Sequence, residues 1–152
     1  MPILKKQHLN KSVLDLAYER LNNIFDQFDT VSVSFSGGKD STICLNLTLE
    51  VARQRGRLPL DVVHWDEEAI PYQTEEYVRR TYNEKDINLR WLCVPVIHRN
   101  ACSRKEPYWY PWAKESEDKW VRPLPPEAIT EVPNYNGHIP TARLTIPFMA
   151  PL

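Results

Sequence analysis

Glycine is scarce in this chain, with four residues in 152, and two of the four are adjacent at Gly37 and Gly38. The Gly-rich dinucleotide fingerprint, which needs three glycines close together, is absent. Cysteine is sparse too: Cys44, Cys93 and Cys102 cannot all pair, and none stands in a CxxC spacing. That pattern points to reduced thiols in a cytosolic setting rather than a disulfide framework. Neither sign of charge dominates, since 19 Lys+Arg face 20 Asp+Glu and the pI is near 6.4. Nucleic-acid binding driven by bulk positive charge is thereby excluded. No apolar run approaches the roughly 18 residues of a membrane span. The opening Met1-Pro2-Ile3-Leu4-Lys5-Lys6 lacks the apolar region of a signal peptide. The expectation is a cytoplasmic protein with no membrane partner.

What is present suits one domain. At 42% hydrophobic and 26% charged residues, the chain can bury a core and remain in solution. Composition shifts once: of 13 prolines, only Pro2, Pro59 and Pro71 precede Pro95, and the rest crowd the final third with Trp109, Trp112 and Trp120. The boundary is placed between an α/β domain, residues 1–105, and a Pro/Trp-rich C-terminal tail, residues 106–152, that packs on the domain or on a partner.

Before that boundary, helix-like and strand-like patterns alternate. Val13, Ala17, Leu21, Ile24 and Phe28 recur at helical spacing behind a capping Ser12. Val31, Val33 and Phe35 alternate with Ser32 and Ser34 as a short strand. Helical periodicity resumes from Ile43 to Ala52 and stops near Gly56 and Pro59. A strand over Leu60–Trp65, a helix over about Gln73–Glu84 and a strand over Leu89–Val94 follow. Such alternation predicts βαβ units and a parallel, Rossmann-like sheet. A further strand is expected at Ala142-Arg143-Leu144-Thr145-Ile146.

The segment with the clearest chemistry is Ser34-Phe35-Ser36-Gly37-Gly38-Lys39-Asp40-Ser41, placed between a strand and a helix. The first turn of a helix offers unpaired N–H groups and a positive dipole end, which attract phosphate. Two glycines let the backbone approach an anion without Cβ interference. Ser36 and Ser41 supply hydroxyls and Lys39 a mobile positive charge, while Asp40 suits a phosphate through a bridging Mg²⁺. It is not a Walker A loop. That pattern wants a glycine with four residues between it and Gly38, where Val33 stands, and Ser or Thr after the lysine, where Asp40 stands.

Ser36 to Ser41 resembles the PP-loop, SGGxDS, of the ATP pyrophosphatase or adenine nucleotide alpha hydrolase-like superfamily, with every fixed position present. The resemblance implies an ATP·Mg²⁺ site. Ser34, Ser36, Gly37, Gly38, Lys39, Asp40 and Ser41 would surround the β- and γ-phosphates, with Lys39 and Asp40 as the catalytic pair and Asp40 as the metal ligand. The exposed α-phosphate would then be open to a nucleophile, with pyrophosphate released. Asp66, in Trp65-Asp66-Glu67 at the end of the second strand, would stand where relatives place adenine and ribose contacts, or else serve as a capping or solvated carboxylate.

Within the superfamily the chain is similar to the phosphoadenosine phosphosulfate (PAPS) reductase-like branch. The Trp65-Asp66-Glu67-Glu68-Ala69 turn and the run from Trp120 to Thr130 add to the likeness. Two departures stand out. The C-terminal Glu-Cys-Gly-Leu-His setting of a PAPS reductase is missing, because the last cysteine, Cys102, is followed by Ser103-Arg104-Lys105. The loop is also intact, which favours ATP over PAPS. The chain is shorter than such relatives, so a homo-oligomer or protein partner is expected to complete the site. The alternatives are a non-catalytic, partner-binding module that keeps the fold and, third, sulfonucleotide reduction with an external thiol.

Weaker signals get plainer readings. His98 and Cys102, or His64 and Cys93, fall short of a compact zinc set and read as packing residues. Arg99, Arg104 and Lys105 beside Tyr108, Trp109, Tyr110 and Trp112 could stack nucleotides. The simpler account is a tail covering an open sheet edge. Arg79 and Arg80 read as a solvated helix face.

Overall fold

The computed structural model describes residues 10–100 and 102–131. In chain order these form α1 (Val13–Gln27), β1 (Ser32–Ser34), α2 (Lys39–Gln54), β2 (Leu60–Trp65), α3 (Tyr72–Tyr82) and β3 (Ile87–Leu92). Two short strands, β4 (His98–Arg99) and β5 (Tyr108–Trp109), and a 3-10 helix over Lys114–Lys119 complete them. The expected strand at Ala142–Ile146 lies outside the described residues.

β1, β2 and β3 make a three-stranded parallel sheet in that order, with Val33 opposite Val62 and Val62 opposite Leu89. The architecture is α/β and compatible with a Rossmann-like fold. Strand alternation decides its faces. Val33, Phe35, Leu60, Val62, Leu89 and Trp91 point to one side, where Leu45 and Val51 of α2 and Val78 of α3 join them in one buried cluster. Val63 and Trp65 pack on the other side with Leu92, Val94, Val96 and Ile129. Among the described helices, none is long and apolar enough to cross a membrane.

The ends of the elements follow local chemistry. Ser12 caps α1 in a reciprocal box: its hydroxyl accepts from Asp15 N at 3.1 Å, and its own N–H donates to Asp15 Oδ2 at 3.1 Å. Arg57 closes the other end by donating to the Phe25 carbonyl at 2.8 Å and lying over the Phe25 ring. α2 begins at Lys39, earlier than its apolar period, because its first turn is polar and Gly38 already takes the N-cap position.

The chain after β3 folds back over the carboxyl edge of the sheet. β4 and β5 pair antiparallel, so the sequence-based division between residues 105 and 106 falls in the turn of a hairpin. Ile129 then runs parallel to the end of β3: its N–H donates to Trp91 O at 2.7 Å, and its carbonyl accepts from Cys93 N at 3.0 Å.

Candidate functional site

β1 delivers the motif to the carboxyl end of the sheet. Phe35 is buried, its N–H donates to Val63 O at 2.8 Å, and its carbonyl receives His64 Nδ1 at 2.8 Å. The chain is therefore pinned at Phe35, the residue just past β1, and the loop begins at Ser36. Ser34 is exposed on β1, and Ser36, Gly38, Lys39 and Asp40 are exposed in the turn.

Inside the turn the two serines close a ring. Ser41 Oγ donates to Gly38 O at 2.9 Å and accepts from Ser36 N at 3.2 Å, so the 2.9 Å contact between the two hydroxyls places Ser36 as donor. Thr42 also donates to Gly38 O through its backbone at 3.0 Å and its hydroxyl at 2.8 Å. Gly38 has no side chain to cap α2, so the N–H groups of Lys39, Asp40 and Ser41 stand uncapped in the first turn of a 16-residue helix. Gly37 has φ of +76°, a conformation that glycine adopts without strain. Lys39 and Asp40 make no ion pair or side-chain hydrogen bond among the described residues. Amides, two rotatable hydroxyls and an unengaged ammonium are the donor set a phosphate chain takes.

A divalent cation would be held here through the Asp40 carboxylate together with phosphate oxygens, not by these hydrogen-bond donors. Mg²⁺ is held by one or two carboxylates with phosphate oxygens and waters completing its shell. Asp40 supplies one unengaged carboxylate beside the amides. Among the described residues no group of three or more His, Cys, Asp or Glu side chains could hold a metal unaided. His64 and Cys93 are both buried, and burial lowers the His64 pKa and raises that of the Cys93 thiol.

The sequence-predicted Asp66 sits differently from the loop residues. Its side chain is fully buried; its two oxygens accept from Arg122 Nη2 at 2.5 Å, from Trp91 Nε1 at 2.7 Å and from Glu68 N at 2.8 Å. It is therefore not a solvated carboxylate, and its bonds are spent on the protein itself. Glu68, buried with φ of +64°, accepts from Trp112 N and Val121 N, each at 2.9 Å. The Glu68 carbonyl takes Arg122 Nε at 2.8 Å.

Sequence reading singled out the Trp65–Ala69 turn and the Trp120–Thr130 run separately; the structure brings them into direct contact. Trp112 is buried against this turn, donates through Nε1 to Asp66 O at 2.9 Å, and lies under the Arg122 guanidinium at 4.8 Å. Arg79 departs from its solvated-face reading: it bonds both Glu127 oxygens at 2.6 Å and lies over Trp91 at 5.3 Å. Nothing in spacing alone pairs residues that far apart in sequence.

Two concavities lie away from the loop. One opens at the amino ends of the strands, lined by Phe25, Val31, Arg57 and Asp61, and the other is a groove between α2 and α3. Neither is lined by Ser36–Ser41, of which Ser36, Gly38, Lys39 and Asp40 are exposed.

No family model matches this chain, and no solved structure does. Among curated proteins it is similar to one of Escherichia coli (strain K12) named "Uncharacterized protein YbdN", at 37% identity over 123 residues. That alignment takes in 79% of this chain but only 30% of the relative, so the chain spans less than a third of that protein's length.

Proposed function

We propose that this chain binds ATP·Mg²⁺ as a PP-loop domain of the adenine nucleotide alpha hydrolase-like superfamily, in its PAPS reductase-like branch, within the cytoplasm. One observation carries the reading: an intact SGGKDS segment stands at the carboxyl end of a parallel strand, with the first-turn amides uncapped by any side chain, the Lys39 and Asp40 side chains exposed and unpaired, and the two serine hydroxyls bonded only within the loop. Open α/β sheets bind ligands at that end. The amides of Lys39, Asp40 and Ser41 hold the β- and γ-phosphates. Ser36 and Ser41 rotate their hydroxyl hydrogens from each other and from Gly38 O toward phosphate oxygens. Lys39 neutralises charge on the bridging oxygens, and Asp40 ligates the cation. When bound, Mg²⁺ supplies electrostatic stabilisation of the leaving pyrophosphate. The buried carboxylate of Asp66 acts by shaping the turn beside the nucleotide, not by direct contact.

Cleavage between the α- and β-phosphates, with transfer of the adenylyl group to an acceptor, is the activity proposed for the assembled site. The open surface at the loop supports a second reading, in which the domain is a partner-binding module without catalysis. Calorimetry with ATP·Mg²⁺ on the wild type and on Lys39→Ala and Asp40→Ala separates them. Binding lost in both variants is the expected result. Indifference of the wild type to nucleotide would leave only the binding module.

A further inference from the structure

The loop does not stand alone on its strand. A Cβ placed on Gly37 would lie 2.7 Å from Thr74 Cγ2 and 3.2 Å from Val78 Cγ2, so the apex of the loop is seated directly on α3. The residues that follow these two, Glu75 and Arg79, look elsewhere. With 3.6 residues per turn, adjacent positions point about 100° apart, so Thr74 and Val78 share one face and Glu75 and Arg79 the next. That second face is gripped by the C-terminal segment. Arg79 Nη1 meets both oxygens of Glu127 at 2.6 Å, Arg79 Nη2 meets Glu75 at 3.0 Å, and Arg122 Nη1 lies 3.7 Å from Glu75 Oε2. Arg122 in turn is fixed by Asp66 and the Glu68 carbonyl. The helix is thus held between the loop and residues 122–127.

We infer that Glu127, acting through Arg79 and α3, is a positioning residue for the phosphate loop: the C-terminal segment holds α3 in the place where Thr74 and Val78 seat Gly37. This rests on the phosphate-binding reading for its ligand but not for its mechanics, which concern the empty loop as well. Glu127 touches neither the loop nor a nucleotide. Its release loosens the seat under Gly37 and lets the amides of Lys39 to Ser41 lose their common aim.

The test compares wild type, Glu127→Gln, Glu127→Arg and the charge-swapped pair Glu127→Arg/Arg79→Glu. Amide hydrogen exchange is followed at the bonded loop amides of Ser36, Gly38 and Thr42 and over β2 and β3 without ligand, and inorganic pyrophosphate affinity is measured by calorimetry. Coupling through a packed element is worth a modest free energy, so Glu127→Arg is expected to weaken pyrophosphate by about two- to tenfold. It also speeds exchange in the loop while leaving β2 and β3 protected, and the swapped pair recovers a good part of both. Glu127→Gln, which keeps the side-chain shape, gives a smaller change of the same sign. Unchanged loop exchange in Glu127→Arg overturns the inference, as does faster exchange spread equally over the strands, or faster loop exchange with unaltered pyrophosphate affinity. A wild type that ignores pyrophosphate while its loop exchange still responds to Glu127 supports the mechanical link and sinks the phosphate reading instead.

Discussion

Replacing Asp66 by Asn probes the contact that ties the turn after β2 to the segment around Arg122. The carboxylate is completely buried and Arg122 is 12% exposed, so the pair is shielded from solvent. Asparagine keeps the volume and one acceptor, enough for either Trp91 Nε1 or Glu68 N. It removes the negative charge and leaves the guanidinium buried beside a neutral amide. Breaking a buried pair from one side costs about 3–5 kcal/mol when the remaining ion is uncompensated. Glu75, 3.7 Å from Arg122 Nη1, offsets part of that, which points to the lower end. Against a total stability of about 5–15 kcal/mol, that loss is a large share. For a chain of this size each kcal/mol moves the melting temperature by about 2–4 °C, so a loss near 3 kcal/mol in Asp66→Asn should lower it by about 6–12 °C. Urea unfolding followed by tryptophan fluorescence is the assay, since Trp91 and Trp112 both contact the pair or its turn. Arg122→Met should cost a comparable amount, because the buried Asp66 carboxylate keeps its Trp91 and Glu68 donors but loses its cation. The Asp66→Asn/Arg122→Met double variant should be less damaged than the sum of the singles. A loss below about 1 kcal/mol for Asp66→Asn, the range of exposed ion pairs, would refute the argument that this pair is buried and essential.

Further expectations concern single positions. Gly37→Ala forces an L-residue to φ of +76° and drives its Cβ into Thr74. The torsion alone costs about 1–2 kcal/mol, so denaturant midpoints should fall, and a neutral result would show that the loop is not seated on α3. Lys39→Ala and Asp40→Ala remove exposed side chains without partners and should change stability by less than about 0.5 kcal/mol; a larger loss in urea titrations would reveal a structural role. His64 is held below its ordinary pKa of 6.5 by burial, so the unfolded chain takes up its proton first as pH falls. Stability should therefore be level above that value and fall below it by up to about 1.4 kcal/mol per pH unit. The same acid loss in His64→Gln would assign it to other groups.

The parallel sheet was legible because its signals are local. Val31-Ser32-Val33-Ser34-Phe35 and Leu60–Trp65 announce strands by alternation and β-branched content, and α1 announces itself by Ser12 and its apolar period. Element ends drifted by a few residues, as at β3, where Ile87 and Asn88 carry no alternation signal but pair with Leu60 and Asp61. The turn at Ser36–Gly38 was legible as a glycine pair between a strand pattern and a helix pattern. Its support was not. Gly37 against Thr74, Glu68 against Trp112, and Arg79 against Glu127 are contacts between segments 37 to 48 residues apart, and no periodicity encodes them. The short β4–β5 hairpin lacked any run long enough to show a period.

One titration bears most directly on the account. Backbone amide resonances of the ¹⁵N-labelled protein are followed as inorganic pyrophosphate with Mg²⁺ is added. Saturable shifts concentrated at Gly37, Gly38, Lys39, Asp40 and Ser41, and absent in Lys39→Ala at the same concentrations, are the predicted outcome. Shifts that gather in the groove between α2 and α3, or a spectrum unmoved by the anion, would contradict it.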